Sequence, residues 1–207
     1  AKLERICRKL ELQPDDHLLE IGSGWGGFAL YAAQHYGCRV TTTTISREQY
    51  ELTRERVRAA GLAEQVTVLC QDYRDLRGNF DKLVSIEMIE AVGERHLQTY
   101  FRACAALLKP HGMMLLQAIT VADQKYEQYR NEVDFIPHYI FPGGFLPSLT
   151  AMADTLGRAT DLRIFHLEDI GAHYATTLRH WRERFLGNLE RVRALGFPEP
   201  FIRMWEY

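Results

Sequence analysis

The sequence predicts an α/β fold, a doubly wound and mostly parallel sheet with helices on both faces. Three observations predict it. Short apolar segments of strand length alternate with longer amphipathic segments of helical period from residue 2 to residue 119. The first strand segment runs directly into a glycine-rich turn. The chain of 207 residues is 46% hydrophobic and 25% charged, which suits a globular protein with one substantial core.

Residues 1–119 contain the regular alternation. Ser46 is expected to cap the third helix and Gly61 to end it, while Lys109-Pro110 closes the fourth helix. The predicted helices cover residues 2–12, 25–36, 46–60 and 94–108. The predicted strands cover residues 17–21, 39–43, 65–70, 82–86 and 113–119.

The alternation breaks after Thr120. Residues 121–148 are rich in aromatic and turn residues and predict a lid-like insert over the carboxyl ends of the strands, with a helical hairpin packed on the sheet as the alternative. The remaining elements are a helix near 147–156, a strand near 161–167 and a long helix over about 173–195. The basic face of that last helix fits either an anionic membrane or solvent, and we favour solvent. We expect one catalytic domain over residues 1–207, belonging to a longer protein.

The glycine-rich turn is the strongest ligand signal in the chain. Glu20 lies two residues before Gly22, and the order Glu-x-Gly-x-Gly-x-Gly is typical of enzymes that use S-adenosylmethionine (SAM). Gly22, Gly24 and Gly27 also satisfy the dinucleotide pattern G-x-G-x-x-G, which is weak by itself. The second strand ends in threonines at residues 41–44 and not in the acid that a nicotinamide ribose requires. The sequence therefore favours SAM and leaves a dinucleotide open.

Composition excludes some classes of function. The formal net charge of −2 argues against a general nucleic-acid binder, so we expect no nucleic-acid partner. The four cysteines have no metal-site spacing, which predicts reduced thiols in a cytoplasmic protein without a metal. No apolar run reaches the length of a membrane span.

Six segments, in order along the chain, carry a family resemblance. They are LLEIGSGWGG at residues 18–27, VTTTTISREQ at 40–49, QDYRDL at 71–76, MIEAVG at 88–93, YIFPGGFLPS at 139–148 and GAHYATTL at 171–178. Together they resemble the cyclopropane-fatty-acyl-phospholipid synthase family, whose members methylate double bonds in lipid acyl chains. The resemblance implies a class I SAM-dependent methyltransferase fold, which is Rossmann-like, with the aromatic segment as its lid.

The resemblance also assigns residues to the cofactor. Glu20 belongs to the glycine motif, the turn and its tryptophan are expected to approach SAM, and the segments after the second and third strands are expected to contact its nucleoside and methionine parts. The cofactor residues so implied are Glu20, Gly22, Gly24, Trp25, Gly26, Thr44, Ile45, Gln49, Asp72 and Tyr73.

The implied catalytic centre holds a bicarbonate ion as the base. Glu90, Ile119 and Tyr174 match the family's ligands, and Gln117 stands where better-known members carry histidine. The alternative for Glu90 is a structural carboxylate at a helix N-terminus. Since methyl transfer to an alkene creates a carbocation, the site should be dry and lined by π faces, a role that suits Tyr139, Phe141 and Phe145.

The leading prediction is a cyclopropane synthase that acts on unsaturated phospholipid acyl chains through peripheral contact with a membrane. A methylene- or methyl-branched product, a small-molecule methyltransferase and a SAM-binding module without chemistry are the alternatives. The oligomeric state stays open, with a homodimer as one possibility.

Overall fold

The computed structural model describes residues 1–132 and 135–207 of the chain. Residues 133 and 134, inside the predicted insert, lie outside the described residues. The chain divides into two compact units, residues 1–163 and residues 164–207. The first unit contains the sheet. The extent of the catalytic domain, predicted as residues 1–207, stays a prediction.

The sheet has five parallel strands in the order β3-β2-β1-β4-β5. They are β1 His17–Ile21, β2 Arg39–Thr44, β3 Val66–Cys70, β4 Phe80–Ile86 and β5 Leu108–Gln117. Each corresponds to a predicted strand, with β5 beginning earlier because residues 108–112 continue the pairing with β4 through an irregularity near Phe80 and Lys82. The prediction of a doubly wound parallel sheet is confirmed.

Helices flank this sheet in the first unit. They are α1 Lys2–Lys9, α2 Gly27–Tyr36, α3 Arg47–Ala59, α4 Leu97–Leu107, α5 Asp123–Asn131 and α6 Leu149–Ala159, with a short π-helix over Ile136–Ile140. Ser46 caps α3 as predicted, since its Oγ accepts a hydrogen bond from the Gln49 backbone N–H at 3.2 Å. None of the described helices is long and apolar enough to cross a membrane.

The core occupies both faces of the sheet because neighbouring residues on a strand point to opposite faces. Leu18 belongs to the apolar cluster that includes Cys7 of α1 and Phe28 of α2. Leu19 belongs to the cluster on the other face, which includes Tyr100 and other side chains of α4. Both leucines are completely buried, so β1 is the centre of the first unit and its carboxyl end has a fixed position.

Two predictions for the segment from residue 161 to residue 195 were wrong. The strand predicted over residues 161–167 does not form: the segment has no regular structure, and Ile164, Phe165 and Leu167 are exposed. An alternating pattern becomes a strand only when another strand pairs with it, and none does so among the described residues. The long helix over 173–195 is two helices, α7 Tyr174–Leu186 and α8 Leu189–Ala194, which separate at Gly187, a poor helix former; α9 Glu199–Glu206 follows.

Candidate functional site

The carboxyl ends of β1 and β4 meet at the centre of the sheet. From this point the chain order runs outward through β2 and β3 on one side and through β5 on the other, so it is the topological switch point where such sheets bind ligands. A Cβ on Gly22 would lie only 3.0 Å from the Met88 Cγ. The glycine therefore lets the turn after β1 pack directly against the segment that follows β4.

The turn after β1 is built from glycines in left-handed conformations. Gly22, Gly24 and Gly26 have φ values of +96°, +48° and +83°. A Cβ on Gly26 would lie 2.8 Å from the Thr53 Cγ2, whereas a Cβ on Gly24 would point into open space. With α2 beginning at Gly27 and 52% of Trp25 exposed, this turn forms an open cradle in which a ligand can approach the backbone, and a side chain at position 24 would project into it.

The four threonines of β2 connect this strand to β1, to α3 and to the segment after β3 through their hydroxyl groups. Each hydroxyl has a different partner. Thr42 donates to the Glu20 Oε2 at 2.6 Å, Thr43 to the Gln71 carbonyl at 2.5 Å and Thr44 to the Gln49 Oε1 at 2.7 Å, while Thr41 lies 2.9 Å from the His17 Nε2. Thr44 is one of the cofactor residues that the family resemblance implies, but the sequence does not predict these hydroxyl partners. Three of the four bonds reach predicted cofactor residues or the residue beside one.

Glu20 is buried at the centre of this network. Burial raises the pKa of its carboxyl group to about 8, and the hydrogen bond from Thr42 opposes part of that shift. The carboxyl group is therefore largely protonated at neutral pH, which avoids placing an unpaired charge in the core.

The remaining predicted cofactor residues lie at the ends of β2 and β3. Ile45 is 79% exposed directly after β2. Asp72 accepts hydrogen bonds from the Arg74 backbone and guanidinium, with a 2.7 Å bond to the Arg74 Nη2. Tyr73 is half-buried, with its ring edge-on to Tyr100 at 5.6 Å between centroids. The structure thus brings the cofactor candidates to one edge of the sheet, with Asp72 already paired to a side chain of its own turn.

Glu90 joins the ends of β4 and β5. It lies in the 3₁₀ turn Ile89–Ala91 after β4, and its Oε1 accepts the Ile119 backbone N–H at 2.6 Å. Its Oε2 and the Oε1 of Gln117 are buried acceptors that have no hydrogen-bond partner among the described residues. Burial raises the pKa of the Glu90 carboxyl group, an effect opposed by the bond from Ile119. Buried polar atoms require partners, so this place is suited to a ligand that donates hydrogen bonds.

The aromatic insert contacts Glu90 through its backbone. The Phe145 N–H donates to the Glu90 carbonyl at 2.8 Å, and its ring packs near those of Tyr126 and Tyr129. Tyr139 and Phe141 lie earlier in the insert and are 56% and 62% exposed. Of the three predicted substrate residues, the structure brings Phe145 to the catalytic edge.

Tyr174 lies in the second unit, as the first residue of α7. Its ring is 37% exposed and is edge-on to Trp181 at 6.1 Å. Its predicted role as a ligand of the base stays a prediction.

The whole chain, residues 1–207, matches the family described as mycolic acid cyclopropane synthetase. The chain belongs to this family. It is 44% identical over 205 residues to tuberculostearic acid methyltransferase UfaA1 of Mycobacterium tuberculosis, covering 99% of this chain and 48% of that protein. It is 42% identical over 207 residues to cyclopropane-fatty-acyl-phospholipid synthase of Escherichia coli K12, covering 100% of this chain and 51% of that protein. The chain thus spans about half the length of these curated relatives.

Solved structures agree with the membership in the cyclopropane synthetase family. Mycolic acid cyclopropane synthase CmaA1, in a complex with SAH and CTAB, superimposes with a TM-score of 0.90 at 27% identity, covering 99% of this chain and 74% of that one. A putative sarcosine dimethylglycine methyltransferase from Galdieria sulphuraria, at 18% identity and a TM-score of 0.72, shares the fold. The fold is that of class I SAM-dependent methyltransferases, as the sequence predicts.

Proposed function

We propose that this protein is a SAM-dependent C-methyltransferase that adds a methylene bridge across the cis double bond of unsaturated phospholipid acyl chains. The observation that carries the proposal is the pair of unpartnered buried acceptors on Glu90 and Gln117, at the same edge of the sheet as a glycine turn with open space at Gly24. The relative from Escherichia coli, a cyclopropane-fatty-acyl-phospholipid synthase, supports the choice of substrate.

The residues at the glycine turn and at the end of β2 are proposed to bind SAM and to orient its methyl group. SAM bound at the glycine turn supplies an electrophilic methyl group. Gly24 leaves room for the ligand at the start of α2, Trp25 and Ile45 offer exposed apolar surface, and the hydroxyl of Thr44 fixes the Gln49 amide. Residues fixed in this way can hold the methyl group in line with an alkene carbon.

The catalytic half stabilises positive charge and receives a proton. A carbocation forms on the acyl chain when an alkene carbon takes the methyl group. The Glu90 carboxyl group and the aromatic rings of the insert are the groups of the first unit suited to stabilise it. Ring closure requires a proton to leave the new methyl group, and bicarbonate bound at Glu90 and Gln117 would supply the base.

Glu90 and Gln117 are chemically able to bind such an anion. The unpaired Oε2 of Glu90 can accept a hydrogen bond from the O–H group of bicarbonate. The amide of Gln117 can donate through its NH₂ group without carrying charge. We infer that Glu90 orients the base and does not itself take the proton.

The insert is proposed as the lid of the site. The bond from the Phe145 N–H to the Glu90 carbonyl supports this role, because it ties the insert to the catalytic turn. Tyr139 and Phe141 are proposed to contact the acyl chain. We propose that the protein is cytoplasmic and meets its lipid by peripheral contact with a membrane, without a nucleic-acid partner.

A second candidate differs only in the last step. Tuberculostearic acid methyltransferase of Mycobacterium tuberculosis, at 44% identity, and sphingolipid C9-methyltransferase A of Emericella nidulans, at 38% identity, belong to the similar proteins. The same first methyl transfer leads to a methylene-branched chain if a hydride shifts to the carbocation and a proton then leaves the methyl group. A saturated methyl-branched chain forms only if a hydride donor then reduces that product.

The test incubates the natural full-length protein with liposomes of monounsaturated phospholipid and SAM that carries a trideuterated methyl group. Mass spectrometry of the released fatty acids gives the result. Loss of the alkene with retention of two deuterium atoms supports the cyclopropane synthase. A labelled chain that keeps an alkene contradicts it in favour of the branched product. Absence of label with SAM bound contradicts both.

A further inference from the structure

Glu87 is a glutamate in a left-handed conformation at the carboxyl end of β4. Its φ is +51°, and among the described residues only Glu11 shares such a value without being glycine. This region of backbone space is unfavourable for residues with a Cβ, so a bulky residue stays there only when its surroundings hold it. Glu87 also lies at the switch point, between β4 and the turn that carries Glu90.

Two elements hold Glu87 in place. The Lys2 Nζ at the start of α1 donates to its Oε1 at 2.5 Å. Its backbone N–H donates to the carbonyl of Gln117 at 2.8 Å. The residue is therefore fixed on its side chain by α1 and on its backbone by β5.

The position of Glu87 determines where the chain goes next. The following residue, Met88, packs against Gly22 and accepts a hydrogen bond from the Ala91 N–H at 2.9 Å, which closes the turn around Glu90. A change of backbone conformation at residue 87 would rotate this turn and move the Glu90 carboxyl group away from Ile119.

The charges of Glu87 and Lys2 also act on Glu90. Glu87 raises the pKa of the Glu90 carboxyl group and Lys2 lowers it. Among the described residues, two uncharged groups donate hydrogen bonds to Glu90: the Ile119 N–H after β5 donates to its Oε1, and the Phe145 N–H of the insert donates to its carbonyl. Lys2 and Glu87 are thus an opposed pair of charges beside the catalytic carboxyl group.

We propose that Lys2 and Glu87 are positioning residues for the methyl-transfer reaction, acting as an ion pair that fixes the turn of Glu90. The role rests on the proposed function, because it requires Glu90 to act in the reaction. Neither residue touches the reacting atoms.

The test compares Lys2→Gln, Glu87→Gln and the double variant in the full-length protein. Each single variant should lower kcat about ten-fold while KM for SAM stays unchanged, because a turn that is no longer fixed misplaces the catalytic group. The double variant should lose little more than either single variant, because both break the same pair.

A second readout follows the Glu90 carboxyl group directly by ¹³C NMR, assigned by the signal that Glu90→Gln removes. Its pKa should rise in Lys2→Gln, which loses a positive neighbour, and fall in Glu87→Gln, which loses a negative one. General damage to the fold would not move the two values in opposite directions.

Glu11 supplies a matched control. Glu11→Gly and Glu87→Gly both place glycine at a φ of +51°, but only Glu87→Gly should lower kcat. Unchanged kcat in both Lys2→Gln and Glu87→Gln, or pKa shifts of Glu90 in the same direction, would overturn the proposal. If the unmodified protein methylates no acceptor, the proposed function fails, and the two NMR shifts still test the pair separately.

Discussion

The two sides of the switch point differ in how completely their polar groups are paired. On the side of β2 and β3, the four threonine hydroxyls, the Glu20 carboxyl group and the Asp72 carboxyl group all have hydrogen-bond partners. On the side of β4 and β5, Glu90 and Gln117 each keep a buried acceptor without a partner among the described residues.

This difference matches two proposed tasks: the side of β2 and β3 binds the cofactor, and the side of β4 and β5 takes part in the reaction. A site that must only bind can be completed within the protein, and its polar groups then fix the geometry before the ligand arrives. A site that must exchange a proton keeps polar atoms for groups that come with the reactants. The first side is therefore expected to respond to substitution through stability and cofactor affinity, and the second through turnover.

The largest effect is expected for Glu90→Gln. Its kcat should fall about 100-fold, in the range of a lost catalytic group, because an amide is a weaker hydrogen-bond acceptor for the base and carries no charge to stabilise the carbocation. SAM affinity, measured by calorimetry, should stay within about two-fold, since the cofactor side is intact. The product is measured by mass spectrometry, with the exposed Glu55→Gln as control. Near-full turnover in Glu90→Gln would contradict the assignment of the reaction to the side of β4 and β5.

Glu20→Gln should change the pH dependence of stability. The folded chain holds the proton of Glu20 up to a pKa of about 8, whereas the ordinary value is 4.5. Between these values the folded state binds a proton that the unfolded state has released, so this group's stabilisation is complete below pH 4.5 and is lost as the pH rises through 8.

The loss is about 1.4 kcal/mol per pH unit across that window. Urea titrations at about pH 5.5 and about pH 7.5 should therefore show the wild-type protein losing about 2 kcal/mol more than Glu20→Gln. Parallel pH dependences for the two proteins would show that Glu20 is ionised in the folded state.

Gly24→Ala tests the cradle against a matched glycine. Gly24 and Gly61 both have positive φ values and open space at the missing Cβ, so alanine at either should cost about 1–2 kcal/mol of stability. Only Gly24→Ala should also weaken SAM binding, by about ten-fold or more, since its methyl group fills the cradle. Thermal unfolding measures the first effect and calorimetry the second. Equal SAM affinities in the two variants would place the cofactor elsewhere.

The smallest effect on the folded state is expected for Phe141→Ala. The side chain is 62% exposed, so the free energy of unfolding should change by no more than about 0.5 kcal/mol. If the insert contacts the acyl chain, KM for the lipid should rise while SAM affinity does not change. Liposome assays at several lipid concentrations give the value, and an unchanged KM would exclude Phe141 from the lipid contact.

The parallel sheet and the place of the site could be predicted, because parallel strands bring their carboxyl ends to one edge. Glu20, Glu90 and Gln117 follow that rule directly. The hydroxyl bonds of β2 could not be predicted, since they depend on the register of three neighbouring elements. The prediction of a strand over residues 161–167 was wrong, because a sequence pattern can indicate an amphipathic segment but does not show whether another strand pairs with it. The backbone of Glu87 was missed because its residue type gives no sign of a left-handed conformation.

The threonines of β2 have a further consequence during folding. A strand buried on both faces is usually an aliphatic run, which is also the kind of segment that associates between unfolded chains. Here four consecutive buried positions carry hydroxyl groups, so the emerging chain offers water a hydrophilic segment. Because each hydroxyl finds a partner once the sheet has formed, we expect β2 to resist association between unfolded chains and yet to be a fully paired interior strand of the folded sheet.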